Sequence, residues 1–285
     1  IIPVLIVPYY SVIGGWVIKY LIEYVKGNGT KLAADGYFSE FISNGASTEI
    51  CFVIFCLFTL SIIYAGVRNG IERVSKFMMP ILVVLSVIIA IYSVTRPGAI
   101  EGVKYFLVPN LKNFSWMTVV AAMGQMFYSM SLAMGIMITY GSYTKDEVSI
   151  VKSVNQIEIF DTGIAILAGM MVVPAVYIFS GEAGTSQSGA GLMFVTLPKV
   201  FTQMTAGRFI GGLFFVLVFF AALTSSVSVM EAIVSMLIDR FHISRIKACL
   251  GVIIFSVALG IPCSLGNGVW SHITILGMDF LTFFD

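Results

Sequence analysis

An aspartate at position 161 falls inside the apolar run 152–179. An ionised side chain in lipid costs about 2.5–3.5 kcal/mol unless it is paired or solvated, so something must offset its charge. Two readings stand for it: a cation ligand or proton carrier, or a structural hydrogen bond to a neighbouring helix. A second candidate is the run Ala221-Ala222-Leu223-Thr224-Ser225-Ser226, where two hydroxyls and the carbonyl of Ala221 can converge on one helical face. Hydroxyl and carbonyl oxygens without a set of carboxylates suit a monovalent hard cation such as sodium better than calcium, which prefers several charged ligands. Small hydroxyl residues also mediate helix packing, and both readings remain open at this point.

Between Gln125 and Gly135 the chain reads Gln-Met-Phe-Tyr-Ser-Met-Ser-Leu-Ala-Met-Gly, a polar, glycine-terminated centre in an otherwise apolar stretch. An unwound helix at that point offers backbone amides to an anionic substrate group and carbonyls to a cation, whereas an unbroken helix simply tolerates the serines. Tyr9 and Tyr10 sit mid-span rather than at an interface, where belt tyrosines are found. Glu231 is another carboxylate inside an apolar run, and its place toward one end suits helix packing or an interfacial role. Cys51, Cys56, Cys249 and Cys263 show no CxxC spacing and read as buried small hydrophobes.

The elements that must hold these residues follow from composition. The chain is 58% hydrophobic and 11% charged, against about a quarter charged in a soluble domain, so lipid must solvate much of its surface. A span needs about 20 apolar residues. Stretches at 1–25, 49–67, 73–95, 115–141, 152–179, 207–238 and 246–266 qualify, and 267–285 opens a partial eighth. The sixth is long enough to require tilt, and Ser129, Ser131 and Gly135 predict a break in the fourth. The first stretch has neither a basic n-region nor a cleavage pattern, which argues for a helix and against a signal peptide.

Arg68, Arg73, Lys76, Lys145, Lys152, Arg240, Arg245 and Lys247 concentrate in the short loops 68–76, 144–152 and 239–247, which are therefore predicted to be cytoplasmic; the sparser loops 26–48, 96–114 and 179–206, and the tail to Asp285, lie toward the outside. Asn28-Gly29-Thr30 and Asn113-Phe114-Ser115 are glycosylation acceptor patterns without functional weight here. The segment 181–191 is rich in Gly and Ser, while 192–201 is apolar and predicts a short re-entrant or hairpin helix. A net charge of +1 with no basic stripe speaks against a nucleic-acid partner. No HExxH or GxSxG pattern occurs, and His242 and His272 lie outside the spans, so an intramembrane enzyme is disfavoured.

Several motifs together carry a resemblance. They are Pro8-Tyr9-Tyr10 with Trp16, Gly70-Ile71-Glu72-Arg73 with Met79-Pro80, Gly124-Gln125 through Tyr140-Gly141-Ser142-Tyr143, Asp161-Thr162 with Ala168-Gly169, Val195-Thr196-Leu197-Pro198, and Leu223-Thr224-Ser225-Ser226. In this order, over nearly the whole chain, they resemble bacterial members of the neurotransmitter:sodium symporter family. The resemblance implies an all-α integral membrane protein, a LeuT-type inverted-repeat helix bundle in a single transmembrane domain over 1–285. Ile1 would lie inside the third helix of ten core helices, the seven spans would be helices three to nine, and the tail would open helix ten. Helices one and two and the C-terminal helices would lie outside this sequence, and helix one supplies roughly half of the substrate and sodium sites in the family.

By the same resemblance, Tyr10 matches the tyrosine whose hydroxyl donates to the substrate carboxylate, and Tyr128 the aromatic that closes over the bound amino acid. Ser129 and Asp161 match the first sodium site; Ala221, Thr224 and Ser225 match the second. Ile6, Ser131, Met134 and Val229, with Ser129 and Ser225, match pocket positions around the substrate. Gln125 and Asp239 match the external and cytoplasmic gate regions. Animal members carry a neutral residue where Asp161 stands and recruit chloride nearby, so the resemblance implies that chloride is not required and that sodium is the coupling ion, with no other cofactor. The implied function is sodium-coupled symport of a neutral amino acid across a bacterial cytoplasmic (inner) membrane by alternating access. The short loop 26–48 without cysteines also looks bacterial. The alternatives are a seven-helix receptor and a carrier coupled to protons. Neither the particular amino acid nor the oligomeric state is legible.

Overall fold

A computed structural model describes residues 2–109, 111, 114–185 and 189–284. Asn113 of the second acceptor pattern, Asp285 and positions 186–188 of the Gly/Ser-rich loop lie outside the described residues. The chain folds as helices α1 (Ile2–Lys26), α2 (Gly29–Leu32), α3 (Tyr37–Ser43) and α4 (Gly45–Tyr64). A π turn at Val67–Glu72 leads into α5 (Arg73–Val94), followed by α6 (Ala99–Leu107), α7 (Trp116–Ser129), α8 (Ile136–Ser142) and α9 (Ile150–Thr185), which kinks at Gly181. A second π turn at Leu192–Thr196 precedes α10 (Leu197–Gln203), where an apolar hairpin helix is predicted, and α11 (Gly207–Phe241), α12 (Arg245–Leu265) and α13 (Phe280–Phe284) complete the chain.

Among the described residues six helices are long and apolar enough to cross a membrane: Ile2–Lys26, Gly45–Tyr64, Val67–Val94, Ile150–Gly181, Gly207–Phe241 and Arg245–Leu265. They match six of the seven predicted spans within a few residues. The remaining one, 115–141, is interrupted as its serines and glycine predict, and forms α7 and α8. At 35 residues α11 has the excess length that implies tilt. The tail predicted to open an eighth span forms turns and the five-residue α13.

The backbone gathers into two compact units, one of residues 1–82 with 204–285 and the other of residues 83–203. In the first, α1 is the hub, packing against α11, α4 and α12. Its buried face presents Tyr9, Val12, Trp16, Val17, Tyr20 and Tyr24. In lipid no hydrophobic drive presses helices together, so contact depends on small residues that let backbones approach. At Gly15 a Cβ would lie 2.7 Å from the Phe52 backbone nitrogen, and at Gly14 it would lie 2.5 Å from the Phe55 ring. The neighbour at Gly15 is main chain and cannot swing aside. Gly15→Val is therefore expected to force α1 and α4 apart at a cost of about 1–3 kcal/mol, read as a lower thermal midpoint of the detergent-solubilised protein; an unchanged midpoint would refute the close-approach account.

Short polar anchors shape this unit. Asn28 donates to Glu23 Oε2 at 2.7 Å, while Lys19 pairs with Glu23 Oε1 at 2.9 Å. The side-chain amide of the first acceptor pattern is thus engaged in holding the end of α1. All four cysteines are buried and unbridged, as their spacing predicts. In the second unit α6 lies on α9, with Gly102 against Pro174 and Gly169 beneath the Phe106 ring.

Candidate functional site

The interruption between α7 and α8 is built from strained backbone. Ser131, Ala133 and Gly135 take φ values of 54°, 59° and 76°. The left-handed region costs a residue with a Cβ roughly 1–2 kcal/mol, and such strain persists only where its surroundings impose it. Ser129 ends α7 at this break, and Leu132 donates its backbone N–H back to the Phe127 carbonyl at 2.9 Å. Gly135 then caps α8, whose Thr139 returns both its N–H and its hydroxyl to the Gly135 carbonyl.

Asp161 meets the break directly. The Ser129 hydroxyl donates to Asp161 Oδ1 at 2.6 Å, the short distance expected of a hydroxyl on an ionised carboxylate. Asp161 is half-buried on α9, and the bond ties that helix to the last residue of α7. The offset for the intramembrane carboxylate thus includes a hydroxyl from the element where the helix opens. This satisfies the structural reading of Asp161. It also brings a carboxylate and a hydroxyl oxygen side by side, the kind of oxygen pair a cation ligand set uses. Around it Ser131 and Met134 are half-buried in the break, whereas Gln125 and Tyr128 are exposed on α7.

The first unit carries the other predicted residues. On α11 the Thr224 hydroxyl reaches the carbonyls of Phe220 and Ala221, each at 3.0 Å. Its proton is directed into the helix, so its oxygen lone pairs face away from those carbonyls. Ser225 beside it is exposed, and Ala221 is half-buried. Ile6 and Val229 are buried, Tyr10 is half-buried, and Asp239 is exposed near the end of α11.

Two buried polar arrangements escaped the sequence reading. Glu231, expected only to pack or to sit at an interface, is fully buried, and Arg245 donates to both its oxygens at 3.0 and 2.5 Å. Arg245 also donates to the Ile63 carbonyl at 3.1 and 3.0 Å, so one guanidinium joins the start of α12 and the end of α4 to the C-terminal third of α11. The available signal was a carboxylate inside a span followed by an arginine opening the next. Thr59 and Ser226 meet at 3.3 Å between α4 and α11, and nothing in their spacing announces it.

The model of the sodium:neurotransmitter symporter family matches residues 36–278. The chain belongs to that family. It is 36% identical to an uncharacterized sodium-dependent transporter of Bacillus subtilis, YhdH, over 99% of this chain and 62% of that protein. A sodium-dependent transporter of Haemophilus influenzae is 34% identical over 98% of this chain and 62% of its own length. The rat sodium- and chloride-dependent taurine transporter is 25% identical over 83% of this chain and 38% of its own. The crystal structure of MhsT in complex with L-phenylalanine superposes with a TM-score of 0.87 at 34% identity, covering 99% of this chain and 65% of that one. The chain therefore spans less than two thirds of the length of the relatives it matches. Its all-helical, multi-pass architecture is that of the LeuT-type membrane fold, and the family is one of secondary transporters rather than enzymes.

Proposed function

We propose that this symporter-family chain supplies sodium ligands and substrate contacts for sodium-coupled uptake of a neutral amino acid by alternating access. The observation that supports it most is the 2.6 Å bond from Ser129 to Asp161 at the helix break, which brings a carboxylate and a hydroxyl oxygen together where α7 ends. Ser129 and Asp161 are the first sodium site, and the Ala221 carbonyl with the Thr224 and Ser225 hydroxyls is the second. Tyr10 and Tyr128 bind the substrate's carboxylate and cover its bound form. By the family resemblance, Ile6 and Val229 in the first unit, and Ser131 and Met134 in the second, are assigned to the substrate side chain. Met134 adapts to several shapes, which suits large aliphatic or aromatic side chains. That MhsT is solved with L-phenylalanine agrees in chemistry with such a side chain.

Each sodium ion entering down 100 mV and a tenfold gradient releases about 3.7 kcal/mol, enough to drive accumulation of a zwitterion. Because Asp161 is itself anionic, no chloride is needed to balance the sodium charge. Cells expressing the gene that encodes this chain are expected to take up a labelled mixture of neutral amino acids in sodium chloride and equally well in sodium gluconate. In choline chloride uptake should collapse. Loss of uptake in gluconate would overturn the charge argument, and uptake indifferent to choline would point to a proton-coupled carrier instead.

A further inference from the structure

We propose that Thr59 is a positioning residue for the second sodium site, acting through Ser226 and the rotational setting of α11; this rests on the reading of Ala221, Thr224 and Ser225 as sodium ligands. Thr59 is completely buried, and its hydroxyl lies 3.1 Å from the Phe55 carbonyl and 3.3 Å from the Ser226 hydroxyl. A hydroxyl has one proton and two lone pairs. The one Thr59 proton is shared between the Phe55 carbonyl of its own helix and the Ser226 oxygen on α11, which accepts from it. Phe55 in turn is locked in the apolar cluster with Ile18, Met78 and Leu223, which holds the Thr59 hydroxyl still.

Successive helical residues are about 100° apart. With Ser226 turned toward α4, Thr224, Ala221 and Ser225 occupy roughly 160° to 260° around α11, the opposite side. The bond on one face therefore sets the azimuth of the ligand oxygens on the other. The apolar side chains here pack without direction, and burial among lipid-embedded helices does not select one angle. A rotation of about 10° at a side-chain radius of about 5 Å shifts an oxygen by about 0.9 Å, beyond the roughly 0.5 Å tolerance of a preorganised ligand set.

A second polar rung sits one turn farther on, where Arg245 joins the Ile63 carbonyl to Glu231. From Thr59 to Ile63 α4 advances about 6 Å, and from Ser226 to Glu231 α11 advances about 7.5 Å. Two rungs so spaced resist sliding as well as rotation. The rung at Thr59 is the nearer one to the sodium ligands, since Ser226 adjoins Ser225 in the chain.

Uptake by cells expressing the gene would be measured against sodium concentration for wild type, Thr59→Val, Thr59→Ser, Ser226→Ala and the double variant Thr59→Val/Ser226→Ala. Either single loss of the bond is expected to raise the half-saturating sodium concentration about fivefold. The double variant should be no worse than the singles, Thr59→Ser should stay near wild type, and the half-saturating amino-acid concentration at saturating sodium should not move. Lower maximal uptake or lower membrane abundance with an unchanged sodium midpoint would reduce Thr59 to packing and overturn the proposal. Where Thr59→Val fails to reach the membrane, Ser226→Ala removes the same bond from the other helix and the same midpoint decides. Wild-type uptake unaffected by choline would instead sink the symporter reading itself.

Discussion

Asp161→Ala is expected to abolish sodium-driven uptake while leaving the protein in the membrane. A carboxylate about 4 Å or less from a cation in a partly screened site contributes about 4 kcal/mol, so its loss raises the required sodium concentration by about 10³-fold. Removing it also deprives the Ser129 hydroxyl of the acceptor 2.6 Å away and frees the end of α7 from α9. Asp161→Asn separates these contributions. It keeps an oxygen ligand and a partner for Ser129 but not the charge, and should transport weakly at high sodium. Sodium titrations of uptake, normalised to the amount of each variant in the membrane, test both. Asp161→Ala with a wild-type sodium midpoint would confine Asp161 to the structural role that its hydrogen bond also permits.

Arg245→Met is expected to destabilise the protein more than any surface charge removal. It leaves the fully buried Glu231 carboxylate without its guanidinium and takes two donors from the Ile63 carbonyl. Breaking a buried pair from one side costs about 3–5 kcal/mol. The lower end applies, because the Arg245 side chain is 26% exposed and water competes there. A loss of about 3 kcal/mol lowers a thermal midpoint by roughly 6 °C. Removing both charges in Glu231→Met/Arg245→Met should recover most of the loss, since two apolar side chains need no mutual pairing. A single variant as stable as wild type, or a double variant worse than the single, would show that the ion pair is not the clamp it resembles.

Much of this was legible along the chain because lipid makes polarity rare. A carboxylate such as Asp161 stands out against a long apolar run when each unpaired charge is costly, and Ser129, Ser131 and Gly135 mark the break because a helix in lipid is interrupted only where its exposed backbone finds other partners. The short helix at Leu197–Gln203 was visible for the same reason, as part of the greasy stretch 192–201 after a Gly/Ser-rich loop. The motif order supplied the proposed residue roles, which no hydropathy pattern contains.

What the sequence by itself determined is therefore the membrane class, the helix limits to within a few residues, the broken element and the family. Each depends on local chemistry: apolar length, loop charge and residues that permit or refuse a helix. Only the tertiary structure decided which polar groups bond, although the motif order had already put Ser129 and Asp161 in one site. Ser129 and Asp161 are 32 positions apart, Thr59 and Ser226 are 167 apart, and Arg245 reaches Ile63 across 182. Such pairings depend on helix rotation and on where glycines such as Gly15 let backbones touch. Period and composition do not encode these distances, because a helix keeps the same pattern at any azimuth until a neighbour packs against it.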